Sequence, residues 1–420
     1  MKTPANIKQI LITAFVLETL CVTYALSVPS LVRLASIVYT VSGIVIAFAL
    51  LWMKESHGQK INFFSFTKQP LNHYRWLFMG IVLLVMCKFS MQWMEDDPLS
   101  YHDADMLPII KTMCERFING FRQHVYDPIT EIWGGTHPIY LPAMWLPFSL
   151  PVALHIDIRW LTVIVLFIVF SIFLWKIQPL RKYAWLVCLC AFLLFWWLFA
   201  NENAGLVPYT EEGIVIFYYV LLTIALMGRK AWLIGICASL CVLSRYALIG
   251  WLPAMIVYYA YRKEWKNLFQ FISAGVICFI VLLLAPFGWK IFASLSALPG
   301  AYIDFTRRVW HDAPNVFMQS LGWAKFFGPE RIAQLHYLLL FSSFLVPALC
   351  MIIGLQLKRK DKIPTHNLPL AVLKISLVIF YSFIDVPYLY LFYTSSFVSL
   401  IAITVFLNRE NKYSEKMVTH

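Results

Sequence analysis

Charged residues are scarce in this 420-residue chain: Asp, Glu, Lys and Arg together make up 13% of it, against about 25% in soluble domains. That shortage excludes a soluble globular domain, which needs polar groups over its whole surface. The net charge is +12, yet no basic patch interleaved with aromatics occurs, so nucleic acid is not expected as a partner. Only nine Cys are present and no CxxC pair occurs, which gives neither a disulfide framework nor a zinc site. Cys21, Cys87, Cys188, Cys190, Cys237, Cys241, Cys278 and Cys350 lie within apolar runs, and Cys114 does not. Packing thiols are the plain reading of the eight. Internal repeats and low-complexity tracts are also missing, so one membrane domain over 1–420 suffices.

What is abundant is apolar surface. Hydrophobic residues reach 60% and aromatics 17%, with 16 Trp. Twelve apolar runs follow one another at 10–28, 34–53, 76–94, 160–175, 183–200, 213–227, 231–244, 246–261, 268–286, 336–357, 368–384 and 387–407. Most are long enough to cross about 30 Å of hydrocarbon as helices. The expected fold is therefore all-α, a polytopic transmembrane helical bundle. Lys2 and Lys8 precede the first run, as in a signal peptide. A second run follows at once, which favours a retained first span. The short runs 231–244 and 246–261 meet at Ser244-Arg245-Tyr246 and read as a hairpin or two tilted helices.

Orientation follows from the Lys/Arg bias of short loops. With the N-terminus inside, the inner segments collect Lys54, Lys60, Lys68 and Arg75, then Lys176, Arg181 and Lys182, then Arg229 and Lys230. Arg262, Lys263 and Lys266, the stretch Lys358 to Lys362, and Arg409, Lys412 and Lys416 complete the set. The outer loop from Asn201 to Glu212 is acidic. The chain is thus expected as a multi-pass protein of the cell inner (plasma) membrane. Two outer segments, 95–159 and 287–335, are too long for plain connectors. Both are rich in Trp, Phe and Pro, so ordered amphipathic elements on the membrane surface are expected.

The first outer segment opens with Asp96, Asp97, Asp103 and Asp105 at the exit of the third span. An amphipathic helix is expected from about Met106 to Asn119, with Gly120 as its C-cap. Tyr126-Asp127-Pro128 and Ile139-Tyr140-Leu141-Pro142 with Pro147 follow. Carboxylates at a wet membrane boundary are the ordinary explanation for such acids. The order of parts, however, resembles the GT-C superfamily of polytopic glycosyltransferases, and most closely its bacterial mannosyltransferase-like branch, glycosyltransferase family 87 and its neighbours. In that superfamily an early span ends in an Asp motif, a surface helix ends in Gly, and a Pro- and Tyr-rich run enters the next span. The resemblance spans the chain in layout and about 50 residues in motif.

The resemblance implies a helical bundle with an outward cavity and transfer of one sugar from a polyprenyl-phosphate donor. The acceptor would be a glycan, lipid or protein of the cell envelope. It makes Asp105 the first choice for the base that takes the acceptor proton and Asp103 the second. A positioned carboxylate suits that task, and a nearby negative charge favours an oxocarbenium-like transition state. His102 could tune them. Charge accumulates on the departing phosphate, which calls for cations. Arg245, Arg307, Arg308 and Lys290 are the candidates, with Tyr140 lining the donor site. Arg245 interrupts an apolar run, and a charge there is a functional hypothesis by default. The alternative for each cation is an ordinary contact with lipid headgroups. Four aspartates would also suit a divalent cation, but no metal or other cofactor is assigned.

Glu18, in the middle of the first run, has no role from sequence. Lys374 reads as snorkelling to the inner surface, and Asp385 with Pro387 and Tyr388 marks the outer joint of the last two runs. Two other functions remain open. A transporter or flippase would move the lipid without sugar chemistry. A polymerase or ligase of lipid-linked glycans would differ in product length.

Overall fold

The computed structural model describes residues 5–25, 28–53, 72–102, 104–133, 135–177, 183–200, 206–359 and 366–409. Asp103 lies outside the described residues, as do Lys2, Lys54, Lys60, Lys68, Arg181, Lys182, Lys360, Lys362, Lys412 and Lys416 of the inner loops and Asn201–Glu202–Asn203 of the outer one. Among the described residues the protein is helical throughout, apart from one isolated bridge between Ile129 and Thr136.

The main helices are α1 (Ala5–Thr23), α2 (Val32–Trp52), α3 (Asn72–Asp96), α4 (Met106–Ile118), α5 (Arg159–Lys176), α6 (Ala184–Ala200) and α7 (Glu212–Gly228). They continue as α8 (Ala231–Ser244), α9 (Trp251–Tyr261), α10 (Trp265–Phe279), α11 (Ile291–Asp312), α12 (Ile332–Arg359), α13 (Leu368–Phe383) and α14 (Tyr393–Arg409). Among the described residues seven helices are long and apolar enough to cross a membrane, including α1, α2, α3, α5 and α12. The others are α10 with its π-helical extension to Phe287 and α14 with the turn before it. Five shorter apolar helices, α6, α7, α8, α13 and Tyr246–Tyr261, fall on the remaining predicted runs. Apolar side chains stand out on the outer helices, with Trp76, Leu84, Trp185, Phe192 and Phe269 all exposed. Exposure on that scale is what lipid, rather than water, accommodates.

The bundle is closed by small residues and internal charges. Gly235 of α8 faces α10 so closely that a side-chain carbon there would strike the carbonyl of Phe271. Ser239 Oγ donates to Gly275 O at 3.2 Å across the same crossing. Small residues that let helix backbones approach are the usual means of association in lipid. Gly235→Val should therefore lower stability by about 1–3 kcal/mol, read as earlier thermal unfolding in detergent. An unchanged melting temperature would mean the two helices are not held at this contact.

Lys374 does not snorkel. It is fully buried in α13, where Nζ donates to Glu18 Oε1 of α1 at 2.5 Å and to Ser395 Oγ of α14 at 2.6 Å. A carboxylate was available inside the bundle, so the ammonium had no need to reach the surface. The first helix is thereby tied into the core.

The two outer segments are ordered. In α4 the residues Leu107, Ile109, Ile110, Met113 and Cys114 are buried while Lys111 and Glu115 face out, the expected amphipathic pattern. Gly120 follows the helix at φ +86°, a conformation that costs a side-chain-bearing residue about 1–2 kcal/mol. The second segment carries α11, which lies over a small apolar cluster of Val309, Trp310, Phe317, Leu335 and Val386.

Candidate active site

The loop after α4 is set by one arginine. Arg116 Nη1 donates to the carbonyls of His124 (3.1 Å) and Asp127 (2.6 Å), and Nη2 to that of Pro128 (3.2 Å). This folds the loop so that Tyr126 OH donates to Tyr140 O at 3.0 Å and accepts from Trp145 Nε1 at 3.2 Å. Trp145 is completely buried. The two ends of the segment are pinned as well. Arg159 pairs with Asp157 (2.6 Å) and donates to Asp97 O (2.6 Å) at the end of α3. Tyr140 is thus held from behind by a chain of hydrogen bonds, facing the end of the bundle where α7 begins.

Asp105 occupies the N-cap position of α4, yet its carboxylate makes no capping hydrogen bond. It is half-buried and hydrogen-bonds its own backbone instead. Burial raises its pKa above the ordinary carboxylate value, and the positive charge of Arg308 works against that rise. Glu211, just before α7, is raised by burial too. Arg245 opposes that shift, whereas the charge of Asp105 adds to it. The hydroxyl of Tyr140 is pushed up by burial and then by Glu211 and Asp105, and that of Tyr388 by burial, Asp105 and Tyr302. The Asp105 and Glu211 carboxylates thus lie within electrostatic reach of the Tyr140 and Tyr388 hydroxyls, and Glu211 of that of Tyr302. Beside Asp105, Tyr390 OH donates to Met106 Sδ at 2.7 Å.

Arg245 ends α8 in an extended conformation, φ −156°, so its side chain turns inward between helices. Its Nη2 lies 2.5 Å from Glu212 Oε2 and 3.6 Å from Glu211 Oε1. Glu212 is also held by Thr394 Oγ1 at 2.5 Å and Tyr381 OH at 3.4 Å. The sequence expectation of a cation waiting for phosphate is thus modified: Arg245 is engaged by two carboxylates. Glu211 and Glu212, assigned from sequence to an acidic outer loop, are in fact buried, with both side chains 3% exposed or less.

A second pair lies under α11. His336 Nδ1 and Asp385 Oδ2 are 2.6 Å apart and both buried. Burial raises the Asp385 carboxyl, and the hydrogen bond from His336 opposes it. The charge of Asp385 also reaches the Tyr302 hydroxyl, behind the burial that raises it. Several atoms here find no hydrogen-bond partner among the described residues: Arg245 Nε, Glu211 Oε2, His336 Nε2 and Asp385 Oδ1. Each such group costs about 1–3 kcal/mol if nothing meets it.

The other expected residues are peripheral. His102 is exposed and packs against Tyr101 with tilted rings, 4.1 Å between ring centres. Arg307 is exposed and pairs with Asp304 at 3.1 Å. Lys290 is exposed just before α11. Among the described residues none of the three joins the hydrogen bonds of the cluster, and no group of three or more His, Cys, Asp or Glu is arranged to hold a metal ion. Sequence reasoning found Asp105, Arg245, Arg308 and Tyr140 but passed over Glu211, Glu212, Tyr302 and His336. The signal for His336 was a histidine at the outer end of an apolar run.

No protein-family model, curated protein or solved structure matches the chain. Function must therefore be argued from this cluster: three buried or half-buried carboxylates, two guanidinium groups and a rim of tyrosines at one end of a membrane bundle.

Proposed function

We propose that the chain is a membrane glycosyltransferase of the GT-C type, moving a sugar from a polyprenyl-phosphate donor to a hydroxyl of a cell-envelope glycan, lipid or protein on the non-cytoplasmic side. The observation that supports this most is Asp105. It is a carboxylate freed from helix capping, desolvated, and set within electrostatic reach of both Arg308 and the Glu211–Arg245 pair.

In this reading Asp105 accepts the proton of the acceptor hydroxyl as its oxygen bonds to the anomeric carbon. The bond from that carbon to phosphate oxygen breaks, and its electron pair leaves with the polyprenyl phosphate. The surplus of carboxylates over guanidinium groups favours the positive charge that develops on the sugar. Arg308, exposed on α11, meets the departing phosphate. Arg245 favours the charged forms of Glu211 and Glu212 and holds them in place. Tyr140, Tyr302 and Tyr388 present ring faces and hydroxyls to the sugar.

The decisive experiment supplies the purified chain in liposomes with a polyprenyl-phosphate hexose and fractionated envelope acceptors. Release of polyprenyl phosphate together with a singly extended acceptor supports the reading. Movement of the lipid across the bilayer with no product would replace it with a flippase, and long products with a polymerase. Arg308→Gln should cut kcat/KM roughly 10- to 100-fold, the worth of a hydrogen bond to a charged group. A loss confined to stability, with kinetics intact, would remove Arg308 from the site.

A further inference from the structure

At the opposite end of the bundle, which the Lys/Arg bias assigns to the cytoplasm, the ends of α7, α8, α9, α10 and α13 enclose a cavity of about 320 Å³. Its polar lining comes from Arg229, Tyr258, Arg262, Glu264, Asn267 and His366. The guanidinium of Arg262 is held in one orientation. Its Nε donates to Glu264 Oε1 at 2.6 Å, Nη1 to Tyr258 OH at 3.2 Å, and the group lies 5.4 Å from the centre of the Tyr258 ring. Asn267 Nδ2 holds the other oxygen of Glu264 at 2.8 Å. Burial alone would raise the Glu264 carboxyl, but Asn267, Arg262 and Arg229 pull it below the ordinary value, so it stays ionised and fixes Arg262 in place.

Among the described residues two arginines and one carboxylate line the cavity, and Lys230, Lys263 and Lys266 are exposed beside it. Arg229 itself sits at φ +55° at the end of α7, and Lys263 at φ +57°. Both residues sit just past helix ends, where a left-handed residue is a common terminator. Depth is marked by Trp232, Tyr261 and Trp265, all exposed on the same turns. Exposed Trp and Tyr in a membrane helix sit at headgroup level. The lower walls are apolar, with Leu226, Ile234 and Met255.

We propose that this cavity binds a phosphate group at the inner membrane surface, with Arg262 and Arg229 as its cationic contacts. A planar, preoriented guanidinium suits phosphate oxygens, and basic pockets between membrane helices on the cytoplasmic side take anionic headgroups. The site is distinct from the acidic cluster and does not depend on the transferase reading. The phosphate can come from an anionic phospholipid or from free phosphate, and the two are separable.

The test uses the full chain in detergent, followed by native mass spectrometry and thermal unfolding. Phosphatidylglycerol, phosphatidylcholine of the same acyl chains, and inorganic phosphate are titrated separately. Phosphatidylglycerol is expected to remain bound and to raise the melting temperature, with at least tenfold weaker binding in Arg262→Gln and in Arg229→Gln. Arg331→Gln, exposed at the other end of the bundle, should bind as the parent does, which separates the site from general attraction to a basic protein. Protection by inorganic phosphate alone supports the phosphate site and assigns it to a soluble anion. Equal binding of phosphatidylcholine, or undiminished phosphatidylglycerol binding by both arginine variants, would overturn the proposal. If Arg262→Gln fails to fold, Arg229→Gln decides alone, because Arg229 lies at the exposed end of α7.

Discussion

Asp105→Asn should slow sugar transfer by about 10²–10⁴-fold, the usual contribution of a general base, without lowering the melting temperature. The two halves of that expectation have separate grounds. The side chain of Asp105 makes no capping hydrogen bond to α4, so the fold loses no cap when the charge goes. Burial raises its pKa in the folded protein. A carboxyl with a raised folded pKa favours the folded state most below its unfolded value, and that contribution is lost as pH rises through the folded pKa. At neutral pH the ionised group is therefore a burden on stability, and Asn should be neutral or mildly stabilising. Activity has the opposite sign. The base works only when ionised, so the rate should fall as pH drops through a pKa above the ordinary aspartate value, and that acid limb should vanish from the residual activity of the variant. Transfer assays across pH, paired with thermal unfolding, check both. A variant that retains full activity ends the role of Asp105, and one that unfolds early shows a structural residue instead.

The reach of the sequence differs from element to element for physical reasons. The surface helix α4 and its end at Gly120 were legible because amphipathic spacing and a glycine at positive φ are local properties. The apolar runs were legible because lipid demands length and hydrophobicity within one segment. Arg245 stood out because a charge interrupting an apolar run is costly. Its partner did not. Glu212 lies 33 residues away and looks like ordinary outer-loop acid until α8 and α7 are packed together. The His336–Asp385 pair spans 49 residues and joins two different helix ends, a contact that no local pattern encodes. The catalytic guess at Asp105 rested on its place at the exit of α3. What the fold adds is the company it keeps: Arg308 from a helix some 200 positions later, and Glu211 from the start of α7. Long-range pairing of charges is thus the part of the site that folding supplies.

The sharpest consequence of such pairing lies away from the site. Lys374→Met should destabilise the protein by about 3–5 kcal/mol, the cost of breaking a buried ion pair by removing one partner. Glu18 would keep its hydrogen bond from Ser399 (2.8 Å) and the weaker one from Ser395 (3.2 Å) but lose its cation partner Lys374, at a position with no exposure to solvent. Glu18→Gln should cost a similar amount by stranding the ammonium, although Ser395 O and Oγ still accept from it. Together the two changes should cost far less than their sum, because neutral groups of similar size leave no charge to solvate. Thermal unfolding of the two single variants and the double variant in one detergent measures the coupling directly. Since the pair joins α1 to α13 and α14, the single variants should also expose α1 to protease before the rest of the bundle. Strict additivity would mean that the two charges do not interact in the folded protein, and that α1 is held by apolar packing with α2, α6 and α14.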